Sequence, residues 1–171
     1  MNLRYLPVHA ENALLALELA RKEATYLAYT HRTPFAMPID AVWVQQLAAQ
    51  PELAEKVEAF VSRFGMLQDH LGEKLIPRFA VLLGESPKSL FDVLAYAEKM
   101  QWVASANSFV GARKLRNLLV HEDMSDPQLF LQAHLEADGA AQMLFDRVGA
   151  IEAEAASIGL SQIILTKSGQ A

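Results

Sequence analysis

PELAEKVEAFVSRFGMLQDHLGEKLIPRFAVLL, Pro51 to Leu83, decides the fold class. Leu53, Val57, Phe60, Phe64, Leu67, Leu71 and Leu75 recur three or four residues apart, the period of one buried helical face. Pro51 suits a first helical turn, where a missing N–H leaves nothing unsatisfied. Gly84 suits the residue just past a helix end. Pro77 falls inside the pattern and predicts a kink, because its ring displaces the carbonyl four residues back.

The same period runs outward in both directions. His9 to about Tyr29 reads as a first helix, and THRTPFAMP, with two prolines and two threonines, is expected to break it. Asp40 to Ala49 reads as a short helix. Downstream, Ser86-Pro87 pairs a capping residue with a proline and predicts a helix to about Met100. Another begins near Ser105 or Asn107 and ends around His121. Asp126-Pro127 repeats the start signal for a last helix to about Ser157, stopped by Gly159. The tail SQIILTKSGQA carries a short apolar run, Ile163 to Leu165, compatible with a strand-like segment or a packed coil. No repeat, low-complexity tract or linker interrupts the chain. The expectation is an all-α antiparallel bundle of five to six helices.

Bulk properties narrow the class. A chain of 171 residues suggests a single domain, and 52% hydrophobic residues supply a core. With 20% charged residues the chain is not of the disordered type. It has no cysteine, which excludes disulfides and thiolate chemistry and fits a reducing compartment. The N-terminal MNLRYLPVHAENALLALELARK reads as no signal peptide, and no run approaches the roughly 18 apolar residues of a membrane span. The expectation is a soluble cytoplasmic protein with no membrane partner. A formal net charge of -5 argues against a broad, non-specific nucleic-acid binder, but leaves room for a local basic site.

The densest cationic patch is Arg113, Lys114 and Arg116, within RKLRNLLVHEDM, residues 113–124. With Leu115 at the origin of a helical wheel, Gly111, Ala112, Leu118 and Leu119 cluster as an expected core face. Arg113, Arg116, Asn117 and His121 fall on the other side, with Arg116 and His121 about 140° apart. Such a face suits one wall of a cleft, with a second copy of the helix across a two-fold axis as the other wall. Arginine offers a fixed fork of donors to phosphate, and histidine exchanges protons near neutral pH. Asn117 orients a backbone group or a ribose hydroxyl. Together they suit attack of a ribose 2′-hydroxyl on its neighbouring phosphate without a metal, with arginine stabilising the developing charge. The plainer alternative is a solvated helix end whose His-Glu-Asp run is merely surface.

The order of segments adds a resemblance. LQDHLGEKLIPRF, then SPKSLFDVLAYAEKMQWV, then RNLLVHE, spread between about Phe64 and Asp123, resemble the HEPN superfamily, in particular its HepT-like toxins. The family signature is an arginine, a polar residue, a spacer and a histidine. Here these are Arg116, Asn117, Leu118 to Val120, and His121. The resemblance places the family-like core at about 51–157, with a tail over 160–171. It implies a helical homodimer with both histidines in one cleft, metal-independent RNA cleavage and a nucleotidyltransferase-type antitoxin as partner. Arg116 and His121 are then the catalytic pair, and Asn117, Arg113, Glu122 and Asp69 the supporting or binding residues. Two places after the histidine many such chains carry a tyrosine that the partner modifies with AMP; this chain has Asp123.

Other signals are weak. None of the five histidines sits in a strong metal spacing, the eight glycines form no phosphate-cradling loop, and nothing marks a nucleophilic serine. No metal and no cofactor is expected. Gln68, Asp69 and His70 form either a buried polar cluster or part of the same cleft. Trp43 and Trp102 read as core or interface residues.

Overall fold

The computed structural model describes residues 4–121 and 126–160, with Val120 and His121 described by their backbone alone. The chain forms α1 (Ala10–Arg32), α2 (Ala41–Ala49), α3 (Pro51–His70), α4 (Ile76–Leu82), α5 (Leu90–Lys99), α6 (Ala106–His121) and α7 (Pro127–Ser157). A π-helical turn, Leu71–Leu75, joins α3 to α4, so the two make one helical span. No strand occurs among the described residues. The protein is an all-α helical bundle, as the periodicity predicts. Glu122 and Asp123, and the tail from Ser161 onward, lie outside the described residues.

The π turn explains how a proline survives inside this span. Pro77 has no N–H and would press on the Glu73 carbonyl in a regular α-helix. The backbone widens just before it, and the Ile76 N–H reaches back five residues to the Leu71 carbonyl. The chain thus accommodates the proline with a π turn placed just before it.

Other boundaries follow from local hydrogen bonds. α1 continues past Tyr29 to Arg32, because the Thr30 hydroxyl donates back to the Leu27 carbonyl at 3.0 Å instead of breaking the helix. The chain leaves the helix only at Pro34. α5 starts at Leu90 rather than beside Pro87. The Ser89 hydroxyl accepts from the Asp92 N–H at 3.1 Å, while the Asp92 carboxylate accepts from the Lys88 N–H at 3.0 Å. That reciprocal pairing outcompetes the Ser86-Pro87 signal. Asp126 caps α7 as expected. Gly84 and Gly159 end their helices at φ 94° and 76°, and Gln101 adopts the same left-handed conformation at φ 59°.

Two compact units share the chain. One comprises Met1–Arg21, His70–Ala106 and Asp146–Ala171. Its core contains Leu75, Phe79, Leu82 and Leu94, with Trp102 edge-on to Phe79 and Tyr96 at centroid distances of 6.1 and 5.6 Å. The other comprises Lys22–Asp69 and Asn107–Phe145. There Trp43, Val44 and Leu47 of α2 pack with Val57 of α3 and Phe130 of α7. The second unit holds the site described next.

Candidate functional site

α6 presents a core face of similar width to the one the wheel predicts, but differently centred. Phe109, Ala112 and Leu115 are buried, but Gly111 is exposed and Leu118 is 38% exposed. The buried arc is centred roughly 60° from Leu115, toward Arg116. Phe109 is the largest side chain on this part of the helix, and burying it turns the face in its direction. Leu118 thus moves to the outside. Arg116, expected on an open face, is half-buried at the edge of the core.

The wall opposite Arg116 comes from the same chain. Its Nη2 donates to Asp69 Oδ2 on α3 at 2.9 Å, a pair separated by 47 residues in sequence. Its Nη1 donates to Asn117 Oδ1 at 3.1 Å. Nε is buried and has no hydrogen-bond partner among the described residues. Gly65, one turn before Asp69, makes this crossing possible. A β-carbon there would stand 3.2 Å from Arg116 Nε and 3.4 Å from its Cγ. The guanidinium is therefore aimed by a carboxylate, an amide and a gap in α3. Of its five N–H donors, one on each terminal nitrogen is used in these bonds. A second N–H on each has no partner among the described residues and can meet a phosphate.

Beside this pair lies a cavity of about 660 Å³. Its walls are mostly hydrocarbon, from Leu47, Val57, Val61, Met66, Leu119 and Phe130, with Glu58, Asp69, Arg116 and His134 adding polar groups.

The structure brings together three of the sequence-predicted residues: Arg116, Asn117 and Asp69. Arg113 lies one turn earlier on α6 and is half-buried. His121 closes α6, and its side chain and all of Glu122 are outside what is described. The neighbours of Asp69 serve other ends. His70 is 6% exposed and its Nε2 donates to the Ala16 carbonyl at 2.8 Å, a packing role. Gln68 is buried. Among the described residues no group of three or more His, Asp or Glu gathers in metal-binding geometry. No described helix is long and apolar enough to cross a membrane. Gly65 and His134 escape the sequence reading. The one available signal for Gly65 is its place inside a strong helical pattern, four residues before an aspartate, where alanine is the better helix former. Nothing in the sequence distinguishes His134.

Comparison with protein-family models, with curated proteins and with solved structures gives no match for this chain.

Proposed function

We propose that this protein is a metal-independent endoribonuclease of the HEPN type, with Arg116 as the phosphate-binding cation and His121 as the proton-transfer group. The observation that carries the reading is the fixing of Arg116 by Asp69 over Gly65, five residues before His121. A surface arginine with no task gains little from an anchor of this kind. One that must meet a phosphate in a defined orientation gains directional precision.

In the proposed step His121 takes the proton from a ribose 2′-hydroxyl. The 2′-oxygen bonds to phosphorus, the bond to the 5′-oxygen breaks, and the histidine of a second copy protonates that leaving oxygen. The products are a 2′,3′-cyclic phosphate and a 5′-hydroxyl. Arg116 stabilises the charge that grows on the non-bridging oxygens. The homodimer, the cytoplasmic setting and the role of toxin restrained by a nucleotidyltransferase-type partner belong to the same proposal and rest on the sequence resemblance.

A second reading draws on the cavity: a non-catalytic nucleotide- or substrate-binding subunit beside a minimal nucleotidyltransferase. Asp69 offsets part of the positive charge of Arg116, which suits holding as well as reacting. One experiment separates the two. Purified wild type, His121→Ala and Arg116→Lys are incubated with total RNA in EDTA, with a thermal melt for each. The nuclease reading expects wild-type cleavage to cyclic-phosphate ends and a loss of about 10²- to 10⁴-fold in His121→Ala. It expects only partial activity in Arg116→Lys, which lacks the planar fork. Equal cleavage by folded wild type and His121→Ala removes the catalytic pair, and no cleavage by any of the three favours the binding subunit.

A further inference from the structure

A second cationic patch is assembled from two helices that the sequence keeps apart. Lys22, Tyr26 and Tyr29 follow one another along α1 at spacings of four and three, so they share one face. Tyr26 is 49% and Tyr29 63% exposed. Arg63 reaches this face from α3. Its Nη1 donates to the Tyr26 carbonyl at 2.9 Å, and its Cζ stands 5.4 Å from the centre of the Tyr26 ring. Lys22 Nζ stands 5.9 Å from the same centre. Tyr26 thus gathers two cations, one by its ring and one by ring and carbonyl together. Neither cation has an ion-pair partner among the described residues.

The surrounding charges centre the positive field on this pair. Arg32, one turn beyond Tyr29, is exposed and extends it. Glu23 turns its Oε2 into the interior. Glu18 lies one turn before Lys22, and on α3 the charge of Lys56 is offset by Glu52 and Glu55. The patch therefore suits an anion at Lys22 and Arg63 and a flat ring on Tyr29, whose open face has no cation beside it among the described residues. A single nucleic-acid strand carries both features on each nucleotide, whereas a duplex hides its base faces. A surface route joins the patch to the Arg116 site within the same compact unit. Arg63 and Asp69 are about 9 Å apart along α3 and about 120° apart around it, and the exposed Ser62 and Met66 lie between them. A strand lying on the patch meets Arg116 after a few nucleotides.

We propose that Lys22, Arg63 and Tyr29 bind a segment of single-stranded RNA, phosphates on the two cations and a base on Tyr29, with Tyr26 holding the cations in place. RNA as the occupant rests on the ribonuclease reading. Binding is measured apart from cleavage, so each can fail alone: strand binding without cleavage removes only the enzyme, and cleavage with binding indifferent to the patch removes only this site.

The test uses the purified full chain and a fluorescein-labelled 2′-O-methyl oligoadenylate of about 12 nucleotides, within the span of single-strand sites. Its blocked 2′-oxygen cannot attack phosphorus, so the probe survives. Fluorescence anisotropy is expected to show binding. Tyr29→Ala should weaken it about five- to a hundredfold, the worth of one stacked base, and Tyr29→Phe, which keeps the ring, should bind nearly as wild type. Lys22→Ala should reduce the slope of log affinity against log salt by about 0.7, the value of one single-strand phosphate contact. Thermal melts show that each variant is folded, as expected for changes at exposed positions. The proposal is overturned by absence of binding at roughly 100 μM, the weak end of non-specific association. It is equally overturned by unchanged affinity in Tyr29→Ala, by an unchanged salt slope in Lys22→Ala, or by tighter binding of the matching DNA strand, an RNA duplex, polyglutamate or vesicles of anionic lipid.

Discussion

Replacing Gly65 sets two effects of opposite sign against each other. In the interior of α3, Gly65→Ala removes backbone entropy from the unfolded chain and gains about 0.8–1 kcal/mol of helix propensity. Against this, the new β-carbon meets Arg116 Nε at 3.2 Å and Cγ at 3.4 Å, closer than ordinary van der Waals contact. The long arginine side chain yields by a few tenths of an ångström, which loosens the 2.9 Å bond to Asp69. Both side chains of that pair are 32% exposed, so solvent screening limits its worth to about 0.2–1 kcal/mol. The net change is therefore neutral to stabilising, up to about 0.8 kcal/mol, or up to about 3 °C in Tm for a chain of this length. Function moves the other way. A shift of about 1 Å in a catalytic arrangement costs on the order of 10²-fold, so a few tenths should cost several-fold in RNA cleavage. Gly65→Leu has no small accommodation available; it expels Arg116 and should match the activity loss of Arg116→Ala. Urea melts followed by tryptophan fluorescence, together with cleavage of total RNA in EDTA, give both quantities. Destabilisation of Gly65→Ala by more than about 1 kcal/mol, or full activity in Gly65→Leu, would refute the account of Gly65 as the gap through which Arg116 is aimed.

Further expectations concern the frame around the site. Leu115→Ala should cost about 2–5 kcal/mol, because Leu115 is 5% exposed, whereas Leu118→Ala, at 38% exposure, should cost under about 1 kcal/mol; equal losses in denaturant melts would contradict the orientation of α6. Gln101→Gly should stabilise by about 0.5–1 kcal/mol, since Gln101 holds φ 59° at the end of α5 and glycine reaches that conformation without the β-carbon penalty; a lowered Tm would count against it. His134 gives stability a pH dependence. Burial holds its folded pKa below the ordinary 6.5, so on acidification the unfolded chain binds the extra proton first. Its contribution is present above pH 6.5 and is lost as pH falls from there toward the folded pKa, with a slope of at most about 1.4 kcal/mol per pH unit. His134→Phe should flatten the stability curve below pH 6.5, and an unchanged curve would show that this imidazole is not the group responsible.

The fold was legible because it depends on a repeated signal. Seven apolar residues from Leu53 to Leu75 mark one face of a helix, and every error in a single position is outvoted by the others. The boundaries were less legible, because each depends on one or two hydrogen bonds that compete with their neighbours. Ser86-Pro87 and Ser89 are both plausible starts, and only the reciprocal bonds of Asp92 choose between them. The site was legible in its residue types but not in its orientation. A wheel drawn from α6 alone treats all its apolar residues as equal, whereas in the structure the bulk of Phe109 and the absence of a side chain at Gly65 rotate the helix until Arg116 faces α3. The sequence carries that rotation only as a glycine and an aspartate one turn apart, Gly65 and Asp69, with 47 residues separating the aspartate from Arg116. It becomes visible once two distant helices are set side by side.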